Sequence, residues 1–388
     1  MGRFDPRHAL LALALLPGGD ASLLSENGPA AWTEMQLATL KQWVDRAPED
    51  GLPRLDRRPL ALAERRMHPI AVDQAADALA LKLARHHVLG AAGAAQRVDW
   101  HIPDPDRTDD LPQRLAQARA ENQLDNFFAS LRPVHPAYEA LRKALATEAD
   151  PQRRAVLARN MERWRWLPQM LGDDYLIANA AGFEVTLWHG AERVKSWAAI
   201  SGKIKTPTPS LAAKVVAVNF NPWWEVPKSI AEESRLSARG SYVWSGTHFR
   251  QKPGPGNALG QMKLVMPNPY NIYLHDTPSR GLFGAEQRAF SHGCIRVSDA
   301  LGFAETLLGG ARSKAQIDKI IADEQSLSVP LPRPLPVFVA YFTAEPRADG
   351  SIAWHRDIYR RDPAIVSIDP GEPPPPAPTT PTPEQSAQ

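Results

Sequence analysis

Apolar residues in the first 168 positions recur every three to four residues. Trp32, Met35, Leu37, Leu40, Trp43 and Val44 form one stripe, which stops at Pro48 and Gly51. Val72, Ala76, Leu79 and Leu83 form a second, running to a C-cap candidate at Gly90. Leu115 to Leu131 and Pro136 to Leu145 predict two more helices. Asp150 before Pro151 supplies an N-cap and first-turn pair for another, ending near Pro168. From Tyr175 the period falls to two. Strands are predicted at Tyr175 to Ile177, Phe183 to Trp188, Val194 to Ile200, Lys214 to Asn219, Lys263 to Met266, Ile272 to Leu274 and Pro336 to Thr343. A helix from Ser298 to Leu308 interrupts them, and Asp349-Gly350 predicts a closing hairpin. Between Pro222 and Gly260 no period holds, and insertions of that length are often lids or binding loops. The fold class predicted is α+β, a helical N-terminal domain followed by a β-rich domain.

Composition adds exclusions. Lys and Arg number 45 against 43 Asp and Glu, a net charge of +2, which argues against a nucleic-acid partner. No run approaches the roughly 18 apolar residues of a transmembrane segment. Arg3, Arg7 and His8 before Ala9 to Leu16 imitate the start of an export signal, but Asp5 and Pro6 intrude. Residues 1–30 are therefore assigned to an N-terminal segment, a candidate remnant of such a signal. Proline is abundant, 37 in 388 residues, and concentrates at the end. Residues 363–388 are expected to form a disordered or polyproline tail. The body between divides into a helical domain, 31–168, and a β-rich domain, 169–362.

One cysteine, Cys294, excludes an internal disulfide and multi-cysteine zinc sites. Alone it is more often inert packing than a nucleophile. Its neighbours change that balance. Tyr273-Leu274-His275-Asp276-Thr277 is followed by Ser291-His292-Gly293-Cys294-Ile295-Arg296, with His275 at a strand end and Cys294 just before the predicted helix. Helix N-termini and nearby imidazoles favour thiolate, so the pair predicts an activated nucleophile. Gly293 would allow a tight bend that aims backbone N–H groups at a developing oxyanion. The glycines at 254, 256 and 260 fit no nucleotide fingerprint, and no histidine spacing fits a metal, so neither cofactor nor metal is expected. Trp223, Trp224 and Trp244 of the insertion could stack on a ligand or cover the core.

The His275 to Cys294 segment resembles the signature of the YkuD-type L,D-transpeptidases, a histidine followed after a spacer by Ser/Thr-His-Gly-Cys. Lys205 to Pro209, Asn221 to Pro227, Pro253 to Gly260 and Tyr273 to Pro278 are similar to the YcbB branch, and the helical half more loosely to its scaffold domain. The resemblance implies that Cys294 attacks the carbonyl at the L-centre of mDAP in a peptidoglycan tetrapeptide stem, with release of D-Ala. His275 would act as base, and Asp276 would orient it through its backbone carbonyl. The backbone of His292, Gly293 and Cys294 would form the oxyanion hole. Arg296, Tyr273, Ser291, Trp223 and Trp224 would meet substrate. Donor and acceptor stem peptides are the implied partners, carbapenems the implied inhibitors, and the periplasm the implied location. Two departures stand out: there is no room for a peptidoglycan-binding module, and the insertion at about 222–260, similar to a capping subdomain, is short. The shortened form resembles a subgroup that joins mDAP to L-Ala, a 1,3 rather than a 3,3 cross-link. A hydrolase with the same nucleophile and a non-catalytic wall-binding scaffold remain the rival expectations.

Overall fold

The computed structural model describes residues 31–104 and 108–365. The expected export-signal remnant at 1–30 lies outside the described residues, as does the tail from 366 onward. Seven helices come first: α1 (Glu34–Arg46), α2 (Arg58–Arg65), α3 (Pro69–Leu89), α4 (Leu111–Ala120), α5 (Leu124–Ser130), α6 (Pro136–Thr147) and α7 (Pro151–Arg165). Local chemistry explains their starts. Thr33 and Gln36 close a capping box on α1, and the Asp150 carboxylate accepts from the Gln152 N–H at the head of α7. The single helix expected over Leu115 to Leu131 is two. Asn122 adopts a left-handed φ of 56° between α4 and α5, a conformation that asparagine tolerates better than most residues.

The second half carries β1 (Asp174–Asn179), β2 (Glu184–His189), β3 (Glu192–Gly202), β4 (Leu211–Phe220) and β5 (Trp224–Glu225), then α8 (Lys228–Glu233), β6 (Tyr242–Trp244) and β7 (Phe249–Gln251). There follow β8 (Met262–Val265), β9 (Leu274–His275), β10 (Ala289–Ser291), β11 (Ile295–Val297), α9 (Ala300–Leu308), α10 (Lys314–Ala322), β12 (Leu327–Ala340), β13 (Ala344–Pro346) and β14 (Ile352–Trp354). The main sheet runs β10-β3-β11-β9-β8-β4-β12-β1-β2, and β2 also pairs with β3, so it closes on itself. The long β3 makes this closure: its first part pairs with β2, and Ala199 and Ile200 pair with β11. Inside, Leu176, Val218, Leu274, Val297 and Val339 are fully buried with Phe303 of α9. The unperiodic insertion forms its own three-stranded sheet, β5-β7-β6, with α8.

Two features tie the halves together. α6 and α7 share an apolar cluster with β1 and β12, in which Trp164 stacks on Phe342 at 4.8 Å. Arg163, almost wholly buried, pairs with Asp362 at 2.6 Å, and Thr343 donates to the same carboxylate. The body also reaches past the expected start of the tail at 363: Ile365 is buried against Ala92, Ala158 and Trp166. No helix among the described residues is long and apolar enough to cross a membrane.

Candidate active site

Strands β8, β9 and β11 lie side by side and set the site by register. Lys263 sits opposite His275 on antiparallel β8 and β9, and His275 sits beside Arg296 on parallel β9 and β11. Cys294 precedes β11, and the N–H of the next residue, Ile295, donates to the Tyr273 carbonyl. Cys294, His275, Tyr273, Arg296, Ser291, His292 and Trp224 thus line one cavity of about 920 Å3, covered by the insertion through Glu225, Val226, Ile230 and Glu233.

Several expectations are corrected here. α9 begins at Ala300, not Ser298, and β11 stands between it and Cys294, so the thiol does not directly precede a helix. Trp223 does not line the cavity; its ring carries the Arg250 guanidinium at 4.5 Å, while its neighbour Trp224 does line it. The His292 ring is directed to the insertion, its Nε2 lying 3.0 Å from Glu233 and 2.9 Å from Lys203. Gly293 cannot offer its N–H to an oxyanion, because that group donates to Ser291 Oγ. Among the described residues, no acceptor takes the Cys294 N–H, which leaves it free to point at a ligand oxygen. Ser291 is buried, and its hydroxyl donates to the Cys294 carbonyl. The Asp276 carboxylate faces away from the cavity and accepts from the Gln261 N–H.

The thiol sits 3.6 Å from the Asn271 carbonyl and is not hydrogen-bonded to His275. Such bonds often tighten only when substrate binds. Burial raises the Cys294 pKa, opposed by hydrogen bonding from Tyr273 and by the cations Lys263 and Arg296. Burial also pushes His275 down to about 3, helped by the Arg296 charge and opposed by the Asp276 and Leu259 backbone. The resting pair is therefore a neutral thiol and a neutral imidazole, so that any attack by the thiol would need its proton to leave.

Lys263 is a cavity residue the sequence did not single out. Its ammonium lies 5.1 Å from the Tyr273 ring centre, and burial lowers its pKa. Only strand register places it beside His275, and no short motif marks it. Because its charge favours the thiolate, Lys263→Met is expected to move the midpoint of iodoacetamide alkylation to higher pH. An unchanged or lower midpoint would remove Lys263 from the thiol's surroundings.

Gly293 has a φ of 114°, and a Cβ there would sit 3.3 Å from Ile272 Cδ1. Gly293→Ala should therefore cost about 1–3 kcal/mol in backbone strain. Urea unfolding checks this; wild-type stability in the variant would contradict it. Among the described residues, no cluster of three His, Cys, Asp or Glu side chains could hold a metal ion.

Residues 173–319 match the family model described as the L,D-transpeptidase catalytic domain, YkuD, and residues 25–145 match the model described as the Scaffold domain. The chain is 28% identical over 284 residues to a Haemophilus influenzae protein named "Putative L,D-transpeptidase", covering 64% of this chain and 58% of that one. It thus spans somewhat over half the length of that relative. Among solved structures it resembles the L,D-transpeptidase from Mycobacterium smegmatis, with 17% identity, 43% of this chain and 58% of that chain covered, and a TM-score of 0.25. A second is LD transpeptidase LdtMt1 in complex with imipenem, with 13% identity, 43% and 59% covered, and a TM-score of 0.24.

Proposed function

We propose that this chain, which joins a helical scaffold domain to an L,D-transpeptidase catalytic domain, cross-links peptidoglycan stem peptides through a Cys294 thioester. The observation that carries the proposal is the convergence of a thiol, a neutral imidazole and an unengaged Cys294 N–H on one covered cavity. Cys294 Sγ attacks the carbonyl carbon at the L-centre of mDAP in a tetrapeptide donor, while His275 takes the thiol proton. The developing oxyanion is met by the Cys294 N–H and by the positive charge of Lys263 and Arg296. As the C–N bond breaks, His275 returns the proton to the departing D-Ala amine. An amine of a second stem then attacks the thioester, its proton passes to His275, and the thiol is released.

The acceptor is the amine of mDAP or the amino terminus of an L-Ala stem, as in the branch with a 3,3 or the subgroup with a 1,3 cross-link. The substrate would place the protein in the periplasm. Purified protein incubated with disaccharide-tetrapeptides, together with acceptor stems carrying either amine, is expected to yield dimers and free D-Ala by mass spectrometry. Fragmentation of the dimer identifies the bond. Tripeptide monomers without dimers would make the enzyme a hydrolase, and no consumption of tetrapeptide would remove the enzymatic proposal. A carbapenem presents a strained acyl carbon to the same thiol and is expected to leave a covalent adduct on Cys294.

A further inference from the structure

The loop between α3 and α4 of the helical half contains Asp99, Trp100 and His101, which touch the catalytic domain at two places. At one they run beside the segment after β3. Trp100 forms a parallel bridge with Ser210, the His101 N–H donates to the Ser210 carbonyl at 2.8 Å, and the Ser210 N–H donates to the Asp99 carbonyl at 2.9 Å. At the other, His101 stacks on Tyr270 at 4.5 Å. Tyr270 precedes Asn271, whose carbonyl faces the Cys294 thiol.

A hydrogen-bonded chain continues inward from Asp99. Its carboxylate lies 2.9 Å from Arg361 Nη2, which also donates to the Thr208 carbonyl at 3.0 Å. The Arg361 guanidinium lies 4.8 and 4.9 Å from the ring centres of Tyr341 and Tyr359, which stack on each other at 5.3 Å. Tyr359 Oη accepts from the Thr208 N–H and donates to the Gly202 carbonyl. Thr208, wholly buried, accepts from the Gly202 N–H and donates through Oγ1 to the Gly293 carbonyl at 2.8 Å. That carbonyl belongs to the same peptide group as the Cys294 N–H. Holding the oxygen therefore fixes the direction of the N–H, since the peptide is planar and the two groups point oppositely.

We propose that Asp99, Arg361 and Thr208 are positioning residues through which the helical half aims the Cys294 N–H at the developing oxyanion. The proposal rests on Cys294 being the acylated nucleophile. None of the three lines the cavity, so each acts through the Gly293-Cys294 peptide and not by touching substrate. Asp99 itself holds a left-handed φ of 53°, unusual for a residue other than glycine, as expected where the surrounding contacts dictate the backbone.

Two reactions of the same thiol test it. Acylation by imipenem requires an oxyanion site, whereas alkylation by iodoacetamide requires only the thiolate. Thr208→Val keeps the shape of the side chain and removes its hydrogen bonds. It is expected to lower the maximal rate of imipenem acylation by about 10- to 100-fold, with the half-saturating concentration and the alkylation rate within about twofold of wild type. Thr208→Ser restores the hydroxyl and should recover most of the rate. Asp99→Asn, farther along the chain, should lower the same rate several-fold, with thermal unfolding followed to show that each variant is folded. Acylation of Thr208→Val at the wild-type rate would overturn the proposal. So would a parallel loss of acylation and alkylation, or no recovery in Thr208→Ser. Wild-type protein that is alkylated but never acylated would instead remove the transpeptidase assignment on which the proposal stands.

Discussion

Cys294→Ala is expected to abolish transfer, and His275→Gln to lower kcat/KM by about 10^2- to 10^4-fold. The first effect is complete because the chain contains one cysteine, so no second thiol can replace it. The second is smaller because the cations Lys263 and Arg296 and the Cys294 N–H would still act on the oxyanion. The two substitutions also separate in alkylation: Cys294→Ala removes the target, while His275→Gln leaves a thiol that iodoacetamide reaches. The pH profile carries a further expectation. With the thiol raised and His275 lowered to about 3, both groups keep their competent protonation states from mildly acidic to mildly alkaline pH. The plot of kcat/KM against pH should be flat across pH 6.5, where an ordinary histidine would bend it. A limb near 6.5 that disappears in His275→Gln would show that the imidazole is not held neutral by burial.

Below that plateau the fold itself should give way. His87 and His275 are held down to about 3, and His86 and His135 to about 4, each chiefly by burial. Among the described residues neither nitrogen of His87 has a hydrogen-bond partner, and its ring meets Trp43 edge-on at 5.9 Å. The charges facing it are the Asp50 carboxylate, which favours protonation, and Arg165, Arg132 and His86, which oppose it. A histidine buried neutral contributes stability that is fully present above its unfolded pKa of about 6.5. That contribution is lost as pH falls toward its folded pKa, because the unfolded chain takes up the proton first. Each such group adds a slope of about 1.4 kcal/mol per pH unit in that window. Several together can exhaust an ordinary stability of about 5–15 kcal/mol within a few units. Urea midpoints should therefore fall steeply between pH 6.5 and 4, and activity should be lost by unfolding rather than by titration of His275. His87→Leu should reduce the slope by about one proton and raise the midpoint at pH 5. An unchanged slope in that variant would mean that His87 is already paired or hydrated in solution.

Much of the helical half was legible because helix starts and stops are local. Thr33 with Gln36, and Asp150 before Pro151, can be read within four residues. α10 is not marked by its period although Ser313 and Gln316 form the same capping box, because it buries Ile317 alone where the equally long α9 buries five residues. α2, with Leu60 and Ala63 its buried residues, likewise lacks a stripe to read. Strand positions were largely legible too, but their partners were not. β3 serves β2, β11 and β10 along its length, and that assignment depends on closure of the whole sheet.

The site divides in the same way. By itself the sequence determined the reactive groups, one thiol at Cys294 and one imidazole at His275 nineteen positions before it, because nucleophilicity and basicity belong to side-chain types. It also carried the glycine that permits the bend before Cys294. Only the tertiary structure decided how these groups are surrounded. Register brought Lys263 to His275, the cavity took in Trp224 and not Trp223, and a strand displaced the expected helix from the thiol. Thr208 came to the Gly293 carbonyl across 85 residues of chain, and Asp99 to Arg361 across 262. The physical reason is range: a residue's chemistry and helix caps are settled within a few positions, whereas the burial and hydrogen bonds that tune them come from segments that meet only once the chain is folded.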